Sequence, residues 1–153
     1  MNRSRFLLAL VLGSFLTINS TQWLLAKDFP EGSPKFLNSY KDALAEGEKT
    51  GKPVIVVFSA TWCGPCQAMK KSVYPSKEVQ PFHDKFVWAY LDVDDDANEK
   101  ASSKHGVSSI PHIEIVDAKG KSLGQQIGGS DPGAFVKKLE AALKAAPAPA
   151  AKK

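Results

Sequence analysis

Apolar residues recur along this chain with two distinct periods, and the switches between them set out an order of elements. Ser33-Pro34 suits a helix cap and first helical position, and Phe36, Leu37, Tyr40 and Leu44 follow at helical spacing. Gly47 weakens the last turn of that helix, and Gly51 with Pro53 ends it. Val54 to Phe58 is apolar at every position, the pattern of a strand covered on both faces. A helix is predicted from Cys63 to Val73 and a second strand from Phe86 to Val93. Asp94-Asp95-Asp96 gives an acidic start to a short helix reaching His105, with Gly106 suited to its left-handed cap. His112 to Val116 and Ser122 to Ile127 form a hairpin around Asp117-Ala118-Lys119-Gly120. Pro132, after Asp131, opens a last helix with Phe135, Val136, Leu139, Ala142 and Leu143 on one face. The order α-β-α-β-α-β-β-α predicts an α/β domain with one mixed four-stranded sheet. A parallel βαβ unit and a ββα unit build it, with helices on both faces and an extra N-terminal helix.

The two ends read differently from this middle. Arg3 and Arg5 precede an apolar core from Phe6 to Ile18, and Asn19 to Gln22 breaks it before Trp23-Leu24-Leu25-Ala26. Thirteen apolar-core residues fall short of the ~20 that span a bilayer, so residues 1–26 are predicted to be a signal peptide cleaved after Ala26. Leu24 is larger than the residue usual at its place before a cleavage site, and an uncleaved anchor over Phe6 to Ala26 is the alternative. Residues 145–153, Ala-Ala-Pro-Ala-Pro-Ala-Ala-Lys-Lys, contain nothing large and apolar to bury and are expected to be a disordered tail. Residues 27–144 are left as one domain, exported to the periplasm or beyond.

Charge changes the picture little. Cleavage removes Arg3 and Arg5 from the 20 basic residues and none of the 16 acidic ones, lowering the net charge from +4 to about +2. Lys70-Lys71, Lys137-Lys138 and Lys152-Lys153 lack interleaved aromatics, so solvated helix faces explain them and nucleic acid is not implied.

The chemistry lies in Trp62-Cys63-Gly64-Pro65-Cys66, which holds both cysteines of the chain. With both in C-x-x-C, no thiol is left to staple the fold, and the pair is free to cycle. The spacing puts Cys63 at the start of a helix that follows a strand. Free backbone N–H groups and the positive end of the helix favour a thiolate there, lowering its pKa from about 8.5. Cys66 stands one turn later, within reach of a mixed disulfide formed by the first thiol.

Two further motifs, Gly106-Val107-Ser108-Ser109-Ile110-Pro111 and Gly128-Gly129, complete an order and spacing that resembles the thioredoxin family of thiol–disulfide oxidoreductases over Pro53 to Leu143. Gly51 to Val79, with Ser72-Val73-Tyr74-Pro75-Ser76, is similar to secreted members, particularly the C-terminal periplasmic domain of the bacterial transmembrane disulfide reductase. The resemblance implies the thioredoxin fold and a cofactor-free, metal-free protein-disulfide reductase. It would be a monomer acting on protein disulfides with a membrane electron donor. By the same resemblance Cys63 attacks, Cys66 resolves, and Trp62, Gly64 and Pro65 support the pair, Gly64-Pro65 being the dipeptide of reducing members. Trp62 contacts substrate or packs on the fold. Pro111 corresponds to the family's cis-proline opposite the cysteines, and the Ile110 backbone would pair with an extended substrate segment.

Three positions depart from the family pattern. Its buried Asp, six residues before the first cysteine, is Val57 here, and its partner lysine aligns with Tyr90. The proton of the second thiol then needs another acceptor or water. Glu114, a charge inside an apolar strand, is either that acceptor or a sheet residue reaching solvent. Lys71 stands where the family has a helix-kinking proline, and Pro75 comes later. His83, His105 and His112 fall on three elements without ligand spacing and read as surface or packing residues. The acidic run Asp92 to Asp96 lacks the glycine and final glutamate of a calcium loop. Two other classes share this fold: a metal-binding or metal-delivery module, and a non-enzymatic peptide-binding domain using the Pro111 surface. The first needs a third soft or imidazole ligand that the spacing does not supply.

Overall fold

The computed structural model describes residues 29–147. The signal peptide expected over 1–26 and residues 148–153 of the tail expected over 145–153 lie outside the described residues, while Ala145 is the last residue of the final helix. The elements follow as β1 (Phe36–Leu37), α1 (Tyr40–Thr50), β2 (Val54–Ser59), α2 (Gly64–Ser72), β3 (Val87–Asp92), α3 (Glu99–Lys104), β4 (His112–Val116), β5 (Ser122–Ile127) and α4 (Pro132–Ala145). Short 3-10 turns occupy Gln80–Lys85 and Asp96–Asn98.

All six residues of β2 are buried because this strand runs through the sheet centre with a layer of helices on each side. The sheet order is β1-β3-β2-β4-β5; β2 is parallel to β3 and antiparallel to β4. Alternation along β2 sends Ile55 and Val57 into a core with Met69 and Val73 beside α2 and Phe135 and Leu139 of α4. It sends Val54, Val56 and Phe58 into a second core with Ala43 of α1 and Ala101 of α3. The expected βαβ and ββα units are therefore present, with helices on both faces.

A fifth strand replaces the expected start of the first helix. Phe36 and Leu37 pair in parallel with Trp88 and Ala89, and the helix begins only at Tyr40. The reason lies in burial: Phe36 enters the α2/α4 core while its neighbour Leu37 enters the α1/α3 core. Consecutive side chains on opposite faces require a strand and cannot be met by one helix face. Ser39, not Ser33, is the cap, its hydroxyl accepting from the Asp42 amide at 3.2 Å. The 3-10 turn that buries Phe82 has no apolar period of its own and was not foreseeable from spacing.

Gly47 sits buried in α1 where the helix crosses β2. A Cβ there would lie 2.8 Å from Val54 Cγ2 and 3.1 Å from the Lys52 carbonyl. Alanine would gain about 1 kcal/mol of helix propensity, but overpacking against a buried strand costs about 1–3 kcal/mol. Gly47→Ala is expected to lower the urea midpoint at unchanged m-value, a net loss of about 1 kcal/mol. A raised midpoint would show that the strand yields freely.

Candidate active site

The end of β2 and the start of α2 place the redox pair. Cys63 caps α2 with extended backbone (φ −83°, ψ 103°), and its Sγ accepts from the Cys66 amide at 3.2 Å. Cys63 and Cys66 form a disulfide, with Cα atoms 5.2 Å apart. Both are buried, Cys66 almost completely at 1% exposure. Pro65 occupies the first turn, where an absent N–H leaves no intrahelical bond unmade, and no acidic residue shares that turn. Helix amides at this position favour negative charge on the Cys63 sulfur. Pro75 follows the Val73 cap, so α2 ends before that proline instead of bending at it.

The three separated motifs converge on this point. The Ile110–Pro111 peptide is cis. Ile110 packs against a small cluster of Ala60, Cys63 and Cys66. The Gly128 amide donates to the Pro111 carbonyl at 2.8 Å, and a Cβ on Gly129 would meet Pro65 at 3.8 Å. Gly64, in contrast, has open space around its α-carbon. Trp62 does not pack into the core. Its ring is 68% exposed, and its indole N–H donates to the Asp94 carboxylate at 2.7 Å. The sequence marks Asp94 as part of an acidic helix start within the run Asp92 to Asp96; its grip on Trp62 has no signal in spacing.

Val57 is fully buried and lies in register with Tyr90 across the β2–β3 pairing. No carboxylate stands there; a hydroxyl pair lies one turn of the pleat further toward the site. Tyr90 Oη and Ser59 Oγ are 2.5 Å apart. Burial pushes the Tyr90 phenol above its ordinary value, the Ser59 hydrogen bond pulls it partly back, Asp92 raises it further and Gln67 lowers it. Tyr90 is therefore a neutral hydroxyl at physiological pH. Gln67, next to Cys66 in sequence, also donates to the Ala60 carbonyl at 2.9 Å.

Glu114 is not a sheet residue reaching solvent: it is 4% exposed. The Ser122 hydroxyl donates to it, and His112 Nε2 lies 3.4 Å from its other oxygen. It shares a face of β4 with Val116, which packs in the α1/α3 core, whereas Val57 pairs with Ile113 and faces α2. Glu114 thus belongs to the side of the sheet away from Val57, and its hydrogen bonds reach neither cysteine. His83 bonds the Tyr74 carbonyl at 2.9 Å and packs on Trp88; His105 packs between Tyr40 and Phe58. Burial holds both below the ordinary histidine value. Among the described residues no group of three or more His, Cys, Asp or Glu is arranged to hold a metal ion.

A family model described as thioredoxin-like matches residues 35–118. The thioredoxin-like protein HCF164 of Arabidopsis thaliana chloroplasts is 35% identical over 89 residues, 58% of this chain and 32% of that protein. The thiol:disulfide interchange protein DsbD of Pseudoalteromonas atlantica is 30% identical over 91 residues, 58% of this chain and 15% of that protein. The match therefore spans a third or less of these relatives' own length. The solution structure of a thioredoxin from Thermus thermophilus superimposes with a TM-score of 0.61 at 25% identity, covering 67% of this chain and 82% of that one. A family match over more than half of the chain agrees with the convergence of its three motifs: this chain belongs to the thioredoxin-like family, as an oxidoreductase of that family with a Cys63–Cys66 disulfide.

Proposed function

We propose that this protein reduces disulfide bonds of other proteins outside the cytoplasm, through a dithiol–disulfide cycle of Cys63 and Cys66. The observation that carries the reading is the capping geometry, which puts the Cys63 sulfur on the free amides of α2 beside the cis Ile110–Pro111 peptide. In the reduced protein the Cys63 thiolate attacks one sulfur of the substrate disulfide, and the other leaves as a thiolate that takes up a proton. Cys66 then loses its proton and attacks Cys63 Sγ. The substrate's second thiolate is expelled and protonated, and the Cys63–Cys66 disulfide re-forms. Two electrons and two protons have passed to the substrate. Ile110 offers backbone beside the pair for an extended substrate segment, and exposed Trp62 offers an aromatic face. A membrane dithiol donor restores the reduced pair. Export rests on the apolar run Phe6 to Ile18 behind Arg3 and Arg5, and no helix among the described residues is long and apolar enough to cross a membrane.

Two experiments test this. Reduced protein should turn over an insulin-type disulfide with a chemical dithiol as electron source. Cys66→Ser should abolish turnover and accumulate a mixed disulfide through Cys63. Turnover that survives this change, or trapping through Cys66 in a Cys63→Ser variant instead, would reverse the assigned roles.

Val57→Asp probes the missing acid. Burying a carboxyl among Ile55, Met69 and Ile113 is expected to cost about 1–3 kcal/mol of stability. Desolvation would raise its folded pKa above the ordinary value of about 3.9, so the unfolded state gives up its proton first as pH rises. Destabilisation should therefore be greater at pH 8 than at pH 4, with a new titration in the rate of resolution by Cys66. Equal losses at both pH values would mean that the carboxyl reaches water.

A further inference from the structure

A groove of about 610 Å³ opens beside the redox pair, running from Trp62 past Val93 and the turn Asp95–Glu99 to Ile110. Its two ends lie at two parts of the site already described. One end is the exposed Trp62 next to Cys63; the other is Ile110, which packs against the cluster of Ala60, Cys63 and Cys66. Every charged side chain lining it among the described residues is acidic: Asp95, Asp96 and Glu99. Asp94 adds a carboxylate where it holds Trp62.

Local structure explains only part of this. Asp95 is used as a cap, accepting from the Ala97 amide at 2.9 Å. Among the described residues, Asp96 and Glu99 form neither a side-chain hydrogen bond nor an ion pair. Lysines outnumber arginines and recur along the chain, yet among the described residues no lysine or arginine lines this groove. A helix start favours acids, but nothing in it keeps cations from the rest of the lining, where Ser108 and Ser109 stand.

We propose that the groove selects substrate polypeptides that carry lysine or arginine beside the reacting disulfide. The inference rests on the redox reading above and narrows its substrate class. Exposed ion pairs are individually weak, so the carboxylates together are asked for only a fivefold or somewhat larger preference, about what two or three such pairs provide. The preference acts mostly on association and is screened by salt.

The test uses the full-length protein, reduced, and three disulfide-bonded peptides that differ only in the residues flanking the cysteine: lysine, glutamine or glutamate. Second-order reduction rates are measured at low and at high ionic strength, for the wild type and for Asp96→Asn combined with Glu99→Gln. Asp95 is left in place because it caps the turn. At low salt the lysine peptide should react at least about fivefold faster than the glutamate peptide, with glutamine between. That ratio should fall by half or more at high salt, and likewise in the double variant. A smaller ratio at low salt, or one that neither salt nor the substitutions reduce, would overturn the proposal, and the salt arm decides alone should the variant fail to fold. Turnover of the glutamine peptide without charge preference overturns this inference only. No turnover of any peptide sinks the redox reading, and this inference with it.

Discussion

At the first turn of α2 the amide of Cys66 points at the sulfur of Cys63, 3.2 Å away, in a region where backbone amides have no carbonyl partner inside the helix. The rest of the site is arranged around that contact. β2 delivers the turn, and it can do so rigidly because all its side chains are buried between two layers of helices. A strand with one wet face would leave the helix start free to drift. Here Ile55 and Val57 lock it to α2 and α4 on one side, while Val54, Val56 and Phe58 lock it to α1 and α3 on the other. The hydrogen bond from Gly128 to Pro111 then closes a second side of the site, from residues more than forty positions away in sequence. Chemistry at the sulfur is thus a consequence of core packing below it.

Much of this was legible in the sequence, and the reasons differ by element. The uninterrupted apolar run Val54 to Phe58 has one reading, because a strand with a solvent face alternates. Asp131-Pro132 and the turn at Gly120 carry local chemistry that decides structure without tertiary help. Phe36 and Leu37 misled because their spacing to Tyr40 and Leu44 fits a helix, and only the presence of β3 alongside shows that they are a strand. A two-residue strand has no period to detect. At the site, the cysteines, Trp62 and Ile110–Pro111 were named from motif order. The Trp62–Asp94 bond and the Ser59–Tyr90 pair join residues 31 or more apart and depend on register, which spacing does not give.

The position occupied by Val57 distinguishes this chain from the family pattern that it otherwise follows. Where an acid would sit there is a methyl-lined core, and its register partner is a phenol held neutral by burial. Glu114, the buried acid of β4, is spent on Ser122 and His112 on the far face. No carboxylate therefore stands at position 57 to take a proton from Cys66, and the polar groups on that side of β2 include the bonded Ser59 and Tyr90 hydroxyls. The helix start is the electrostatic influence that bears directly on the Cys63 sulfur, through the Cys66 amide.

That influence can be read directly by titrating the reduced protein and following thiolate absorbance with pH, with Cys66→Ala used to isolate Cys63. The account requires the Cys63 thiolate to form below the ordinary thiol value of about 8.5, with the α2 amides as the cause. A Cys63 titration at or above that value would show that the helix start does not stabilise the thiolate, and would contradict the assignment of Cys63 as the attacking group.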